Sequence, residues 1–266
     1  MSETLAFPMY NINQADTAAL YRAVQQLLAV HGVATTGQRP GFAGEGLLAH
    51  WRHPDLMLSQ TCGFPLMTQL PEVQVVGCFH YTAPGCEGRN YRSLLVARAQ
   101  DSDKTLADFR GRRAVCNAPD SQSGYNVLLK MIAPLAERGR FFSGVAFSGS
   151  HRQSLIDLRL GEGDIAAIDC VTWALLQRHQ PELLEGLAVI GRSPLAPGLP
   201  LITAANTSSG TLQAIRDALK VLVSDPQYQE ICSALFIGGF SEATRQDYEV
   251  LLDWRQEAAE AGLHQL

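Results

Sequence analysis

Arg112-Arg113-Ala114-Val115-Cys116-Asn117 is followed by Ser121-Gln122-Ser123-Gly124, then by Ser148-Gly149-Ser150-His151, and then by Gly163-Asp164-Ile165-Ala166-Ala167-Ile168-Asp169. The first run reads as a short strand. The second and third read as helix starts, each opened by small hydroxyl residues and glycine. A helix start presents backbone N–H groups without intrahelical acceptors, together with the positive end of the helix dipole. Two such starts facing one cleft can hold an anion that no lysine touches. The fourth run is an apolar strand delivering a carboxylate at its C-terminal end, where open α/β sheets keep their ligands. The stretch describes a binding cleft better than a catalytic centre.

The same alternation extends outward in both directions. Helices are expected over 123–137, 151–160 and 171–178, and strands over 144–148, 164–168 and 187–192, which together predict a parallel sheet. Upstream, Leu5 to Tyr10 is a short strand. Ala19, Leu20, Ala23, Val24, Leu27 and Leu28 then recur at helical spacing until Gly32 stops the run. Residues 34–46 read as a loop containing Pro40, and strands are expected over 54–60, 73–81 and 91–97. Downstream come a strand over 201–205 and helices over 208–223 and 226–236, the second broken by Gly238-Gly239. A final amphipathic helix is expected from Glu242 to Ala261. Two crossings, near Tyr81–Tyr91 and near Ser193–Pro200, suggest that the chain leaves a first lobe (1–82 and 199–266), builds a second (83–198), and returns. Lobes arranged so would close on a ligand in the cleft between them.

The 266 residues suffice for one large α/β domain or two lobes, and 46% are apolar against 18% charged, as in a globular protein with a real core. No apolar run is long enough for membrane insertion. A net charge of -5 with scattered Lys and Arg argues against a nucleic-acid partner. The N-terminal residues have neither a basic nor an apolar signal region, so no secretory signal is read. The six cysteines, Cys62, Cys78, Cys86, Cys116, Cys170 and Cys232, show no CxxC or Cys/His ligand spacing. Neither a metal site nor a redox motif is expected, and the free thiols suit a reducing compartment unless an export signal has been removed.

Several short motifs, in order, carry a resemblance. They are Trp51 with Pro54-Asp55-Leu56, Ser59-Gln60-Thr61-Cys62-Gly63, Tyr91-Arg92-Ser93, Ser121-Gln122-Ser123-Gly124, Gly149-Ser150-His151 and Gly163–Asp169. The chain is similar, over roughly residues 5–205, to the phosphate/phosphite/phosphonate substrate-binding proteins of ABC transporters. The resemblance implies an α/β, two-lobed periplasmic-binding-protein fold of the second type, each lobe a mostly parallel sheet flanked by helices. It implies a solute-binding protein for a small oxyanion, with an ABC permease as partner, no catalysis and no cofactor. By position, Ser121, Gln122 and Ser123 match residues that hold phosphoryl oxygens. His151 and Tyr91 match further ligand contacts, and Asp169 matches a carboxylate that meets an amine or protonated oxygen. Ser59, Gln60 and Tyr10 transfer from the first lobe. Gln122 stands where phosphonate binders often have threonine.

Local readings remain open beside these. Ser121 and Asp169 are also ordinary helix N-caps, and Tyr91, Trp51 and Trp173 are also packing residues. Two rival functions share the fold. One is an enzyme using Cys62, His151 and Asp169, against which the lack of a nucleophile–base pair counts. The other is a cytoplasmic sensor reporting ligand to a partner protein. Gly44-Glu45-Gly46 and Gly161-Glu162-Gly163 fit a loose dinucleotide pattern, but neither lies between a strand and a helix as a pyrophosphate turn requires.

Overall fold

Apolar runs of five or so residues that are buried on both faces need cover from helices on each side, and the chain supplies it. The structure, a computed structural model, describes residues 4–35 and 46–266; of the loop expected over 34–46, residues 36–45 lie outside these. The strands are β1 Thr4–Ala6, β2 Leu56–Gln60, β3 Gln74–Tyr81, β4 Asn90–Tyr91, β5 Ser93–Arg98, β6 Arg113–Cys116, β7 Gly144–Phe147, β8 Ile165–Asp169, β9 Leu187–Arg192, β10 Ala196–Pro197, β11 Pro200–Thr203 and β12 Ile237–Ser241. The α-helices are α1 Gln14–Val30, α2 Gly46–Trp51, α3 Gly63–Gln69, α4 Val127–Ile132, α5 His151–Leu160, α6 Cys170–His179, α7 Ser209–Ser224, α8 Gln229–Ala234 and α9 Val250–Glu260.

By packing, the chain divides into two units. Unit 1 comprises Met1–Thr82, Glu87–Asn90 and Pro197–Tyr248, and unit 2 comprises Ala83–Cys86, Tyr91–Ala196 and Glu249–Leu266. Among the described residues each unit holds a five-stranded sheet, ordered β1-β2-β11-β3-β12 in unit 1 and β7-β6-β8-β5-β9 in unit 2. The fold is therefore the α/β, two-unit architecture expected.

Within unit 1, β1 runs parallel to β2, while β11 is antiparallel to both β2 and β3, and β12 is antiparallel to β3. Strands β1, β2 and β3 consequently point the same way and bring their C-terminal ends to one edge of the sheet. Every residue of β2 and β11 is buried. Helix α1 is capped by Asn13, whose Oδ1 accepts from the N–H groups of Ala15 (2.9 Å) and Asp16 (3.3 Å). Its buried Leu20, Val24, Leu27 and Leu28 face α7, which buries Ile215, Ala218, Leu219 and Leu222.

In unit 2, β6 runs parallel to β7 and β8, and β5 is antiparallel to β8 and β9. The C-terminal ends of β6, β7 and β8 and the start of β5 thus lie along one edge. That edge collects the residues discussed below.

Three local expectations are corrected. Gly238-Gly239, expected to end a helix, lie inside β12. The helix expected from Glu242 begins only at Val250, after a 3₁₀ turn over Arg245–Tyr248. The last segment, from Glu249, packs in unit 2 instead of belonging with 199–248. There Leu251, Trp254 and Ala258 of α9 are buried on the α4 side, and Asn126 Nδ2 donates to the Leu251 carbonyl (3.1 Å).

Candidate ligand-binding site

The edge of the unit 2 sheet gathers Tyr91 before β5, Ser121–Ser123 after β6, His151 after β7 and Asp169 at the end of β8. Serine and glycine open the first helix as the sequence suggests, but its first turn is wide. The N–H of Asn126 bonds to the Ser121 carbonyl at 2.9 Å, five residues back, and the N–H of Val127 to the Gln122 carbonyl. Single π-turns of this kind recur at functional sites. Ser121 caps the turn, its Oγ accepting from the Gly124 N–H at 3.0 Å. Gln122 is turned along the helix, where its Oε1 accepts from Asn126 Nδ2 at 2.8 Å.

Ser123 is the junction of the site. Its Oγ lies 2.7 Å from His151 Nε2, and its carbonyl accepts from Ser93 Oγ at 2.7 Å. Ser93 is in turn held by Ser193, whose Oγ accepts the Ser93 N–H at 2.8 Å, and in the β5–β8 ladder it lies opposite Asp169. Strand pairing thereby sets Ser123 and Asp169 about one shared residue.

His151 opens α5. Ser150 caps that helix, its Oγ accepting from the Gln153 N–H at 3.1 Å, and Gly149 supplies the left-handed backbone (φ 91°) that the turn before it requires. Burial lowers the His151 pKa from 6.5 to about 4, so the imidazole is neutral at physiological pH. Its Nδ1 is buried and has no hydrogen-bond partner among the described residues. Asn117 Oδ1 is likewise buried and unpartnered, close against Gly124. An added Cβ at Gly124 would meet that oxygen at 1.9 Å, which is why the helix start needs glycine there.

Asp169 caps α6, its Oδ1 accepting from the N–H groups of Val171 (2.7 Å) and Thr172 (3.1 Å). Both the cap and the strand-end position expected from sequence are thus present. Tyr91 is buried on the same edge.

Unit 1 has a corresponding edge at the C-terminal ends of β1, β2 and β3. Ser59 Oγ lies 2.9 Å from His50 Nε2, and His50 has its pKa lowered from 6.5 to about 4, mainly by burial and secondarily by neighbouring His53. Gln60 donates through Nε2 to Tyr81 Oη at 3.0 Å, and Tyr10 packs edge-on against Tyr81 with ring centroids 4.9 Å apart. Trp51 donates its indole N–H to the Gln60 carbonyl at 3.1 Å.

The structure therefore joins Ser121, Gln122, Ser123, His151, Asp169 and Tyr91 on one sheet edge, and Ser59, Gln60 and Tyr10 on another. Sequence reading missed His50, Ser93, Ser193 and Asn117. For His50 and Ser193 no local signal exists, because their partners are 9 and 100 residues away. Among the described residues no cluster of His, Cys, Asp and Glu could hold a metal ion, and no helix is long and apolar enough to cross a membrane.

The fold is shared with solved periplasmic binding proteins. A binding-protein component of an ABC phosphonate transporter from Pseudomonas aeruginosa superposes with a TM-score of 0.77 at 18% identity, covering 98% of this chain and 88% of that one. PhnD1 of Prochlorococcus marinus, solved in complex with methylphosphonate, gives 0.77 at 14% identity over 97% of this chain and 98% of its own. A Xanthomonas citri protein, solved bound to ATP, gives 0.71 at 14% identity over 98% of both chains. No curated protein sequence matches the chain. The sequence model of the periplasmic phosphonate substrate-binding proteins of ABC transporters matches residues 55–248, and the chain belongs to that family. It is a solute-binding protein of the transport class; the enzyme and sensor readings find no support in this match.

Proposed function

We propose that the unit 2 edge binds a small phosphonate, phosphite or phosphate ligand through neutral donors, without chemical conversion, for delivery to an ABC permease. The observation that carries this reading is the Ser123–His151 pair, with His151 neutral and its Nδ1 buried without a partner among the described residues. Serine can point its hydroxyl hydrogen at a ligand oxygen only if Nε2 of His151 holds the proton and donates to Oγ. In that tautomer Nδ1 is an acceptor, suited to a protonated ligand oxygen or an amine. Ser121 and the first turn of the helix add backbone dipole, and the Asp169 carboxylate favours a ligand that carries a proton or an amine.

Such a site discriminates by hydrogen-bond matching, since a ligand lacking a required donor leaves buried groups unpaired. Ser59, Gln60 and Tyr10 enter the proposal through the family resemblance. Two proteins of the same fold were solved with methylphosphonate and with ATP, both of which carry a phosphorus oxyanion.

Calorimetric titration of protein refolded free of carried ligand, with phosphate, phosphite, methylphosphonate, 2-aminoethylphosphonate and sulfate, tests the reading. A hydrogen bond to a charged group is worth roughly 1.5–3 kcal/mol, so Ser123→Ala should weaken the best ligand by about 10- to 100-fold. Unchanged affinity in that variant, or no binding across the panel, overturns the assignment.

A further inference from the structure

The six cysteines look unrelated along the chain, but two of them meet in unit 2. Cys86 Sγ and Cys170 Sγ lie 3.5 Å apart although 84 positions separate them in sequence. The remaining four, Cys62, Cys78, Cys116 and Cys232, are buried, with Cys116 turned to the Gly124 carbonyl and Cys232 to the Leu222 carbonyl. We propose that Cys86 and Cys170 are the partners of a disulfide, formed by reaction with a disulfide oxidant and fastening the segment Ala83–Cys86 to the start of α6.

The approach is built by the backbone on both sides. Cys170 is the first residue of α6, wholly buried, and its N–H is held by the Arg92 carbonyl at 3.1 Å. The segment carrying Cys86 is pinned beside it. Cys86 N–H donates to the Ala83 carbonyl at 3.0 Å, and Arg92 Nε donates to the Gly85 carbonyl at 3.2 Å. At Gly85 an added Cβ would stand 3.2 Å from Cys170 Cβ and 3.4 Å from its Sγ, so the segment passes as close to Cys170 as packing permits. Covalent S–S geometry, at about 2.05 Å, requires an approach of roughly 1.5 Å, within the reach of side-chain rotation in a four-residue segment.

Accessibility assigns the order of events. Cys86 is half-buried and Cys170 is not reachable from solvent. An external disulfide is attacked by the Cys86 thiolate, giving a mixed disulfide and one released thiol. Cys170 then attacks Cys86 Sγ, releasing the second thiol and leaving the intramolecular bond. Two protein thiols are oxidised and one external disulfide is reduced to two thiols. The hydrogen bond with Cys170, and then burial, hold the Cys86 thiol above the usual thiol range, so its thiolate is scarce near neutral pH and the first exchange is slow there, quickening as the pH rises.

The consequence follows from chain connectivity. Ala83–Cys86 packs in unit 2 while its neighbours in sequence, Thr82 and Glu87, belong to unit 1. The bond would tie down one of the points at which the chain passes between the units, one residue from Asp169.

The test treats the purified full-length chain with oxidised glutathione, then denatures it, alkylates free thiols and maps the peptides. The expected result is a fall from six titratable thiols to four, one cross-linked peptide pair containing Cys86 and Cys170, and a melting temperature that rises and returns to its starting value with dithiothreitol. Cys86→Ser and Cys170→Ser should each abolish the rise. Six retained thiols, glutathione left on Cys86 without loss of the second thiol, or a cross-link to any other cysteine overturns the proposal on the unsubstituted protein alone.

Discussion

Lowering the pH from about 7.5 to about 5 should destabilise the protein through His151, and the size of the effect can be worked out. The ordinary imidazole value is 6.5, and burial brings His151 to about 4. The unfolded chain therefore binds a proton first as pH falls. The stabilising contribution is complete above about pH 6.5 and is lost as the pH drops toward about 4. At about 1.4 kcal/mol per pH unit, the full gap is worth about 3 kcal/mol, and about 2 kcal/mol of it disappears between about pH 7.5 and about pH 5. His50 acts in the same direction, so wild type must be compared with His151→Gln, which keeps a polar atom near Ser123 Oγ. Denaturant unfolding at the two pH values should show a wild-type loss exceeding that of the variant by about 2 kcal/mol. Histidine Cε1 resonances in a pH titration should show one imidazole that stays neutral to below about pH 5. Equal losses in both proteins, or a His151 resonance titrating near its ordinary value, would refute the reasoning that burial keeps this ring neutral.

Two substitutions probe the frame of unit 1. In Gly77→Ala the new methyl carbon would stand 2.3 Å from the Ser241 carbonyl oxygen and 2.6 Å from the Phe240 ring, forcing β3 from β12. A loss of about 2–3 kcal/mol is expected in thermal or denaturant unfolding, and wild-type stability would contradict the packing described. Arg245 donates to the carbonyls of Leu66 (2.6 Å), Leu70 (2.7 Å), Val73 (3.1 Å) and Pro71 (3.3 Å), holding the turn after α3. Arg245→Met should cost about 2–3 kcal/mol, and Arg245→Lys should recover little of it, because one ammonium cannot span four carbonyls. Full recovery in the lysine variant would show that charge alone matters there.

Family membership gives the class of solute, whereas the selectivity within that class rests on side-chain detail. In the proposed site, which nitrogen of His151 carries the proton decides whether Ser123 gives or takes a hydrogen bond. Gln122 illustrates the same point. Its amide oxygen accepts from Asn126 within the helix, so that atom is committed to the helix turn.

The features legible in the amino-acid order alone are local ones. Helix α5 can be read from end to end because its signals sit within it: Ser150 caps the start, and Gly161 adopts the left-handed conformation (φ 80°) at the close. Strand β9 and the apolar run of β8 are equally plain, and the serine-rich helix starts mark the candidate site through residue type and spacing alone. Tertiary structure decided what depends on partners distant in the chain. Gly238-Gly239 become strand because β3 offers a pairing edge at His80 and Tyr81, with an added Cβ at Gly238 only 2.4 Å from Thr82 Cγ2, whereas a glycine pair read alone signals a stop. The direction of β11 and the docking of α9 on α4 follow from which edges and faces are left to cover, not from periodicity. The cap that Asp169 makes on α6 is local, whereas its place opposite Ser93 exists only through the β5–β8 ladder. His50 with Ser59, and Cys86 with Cys170, become pairs only when folding closes loops whose ends share no local pattern.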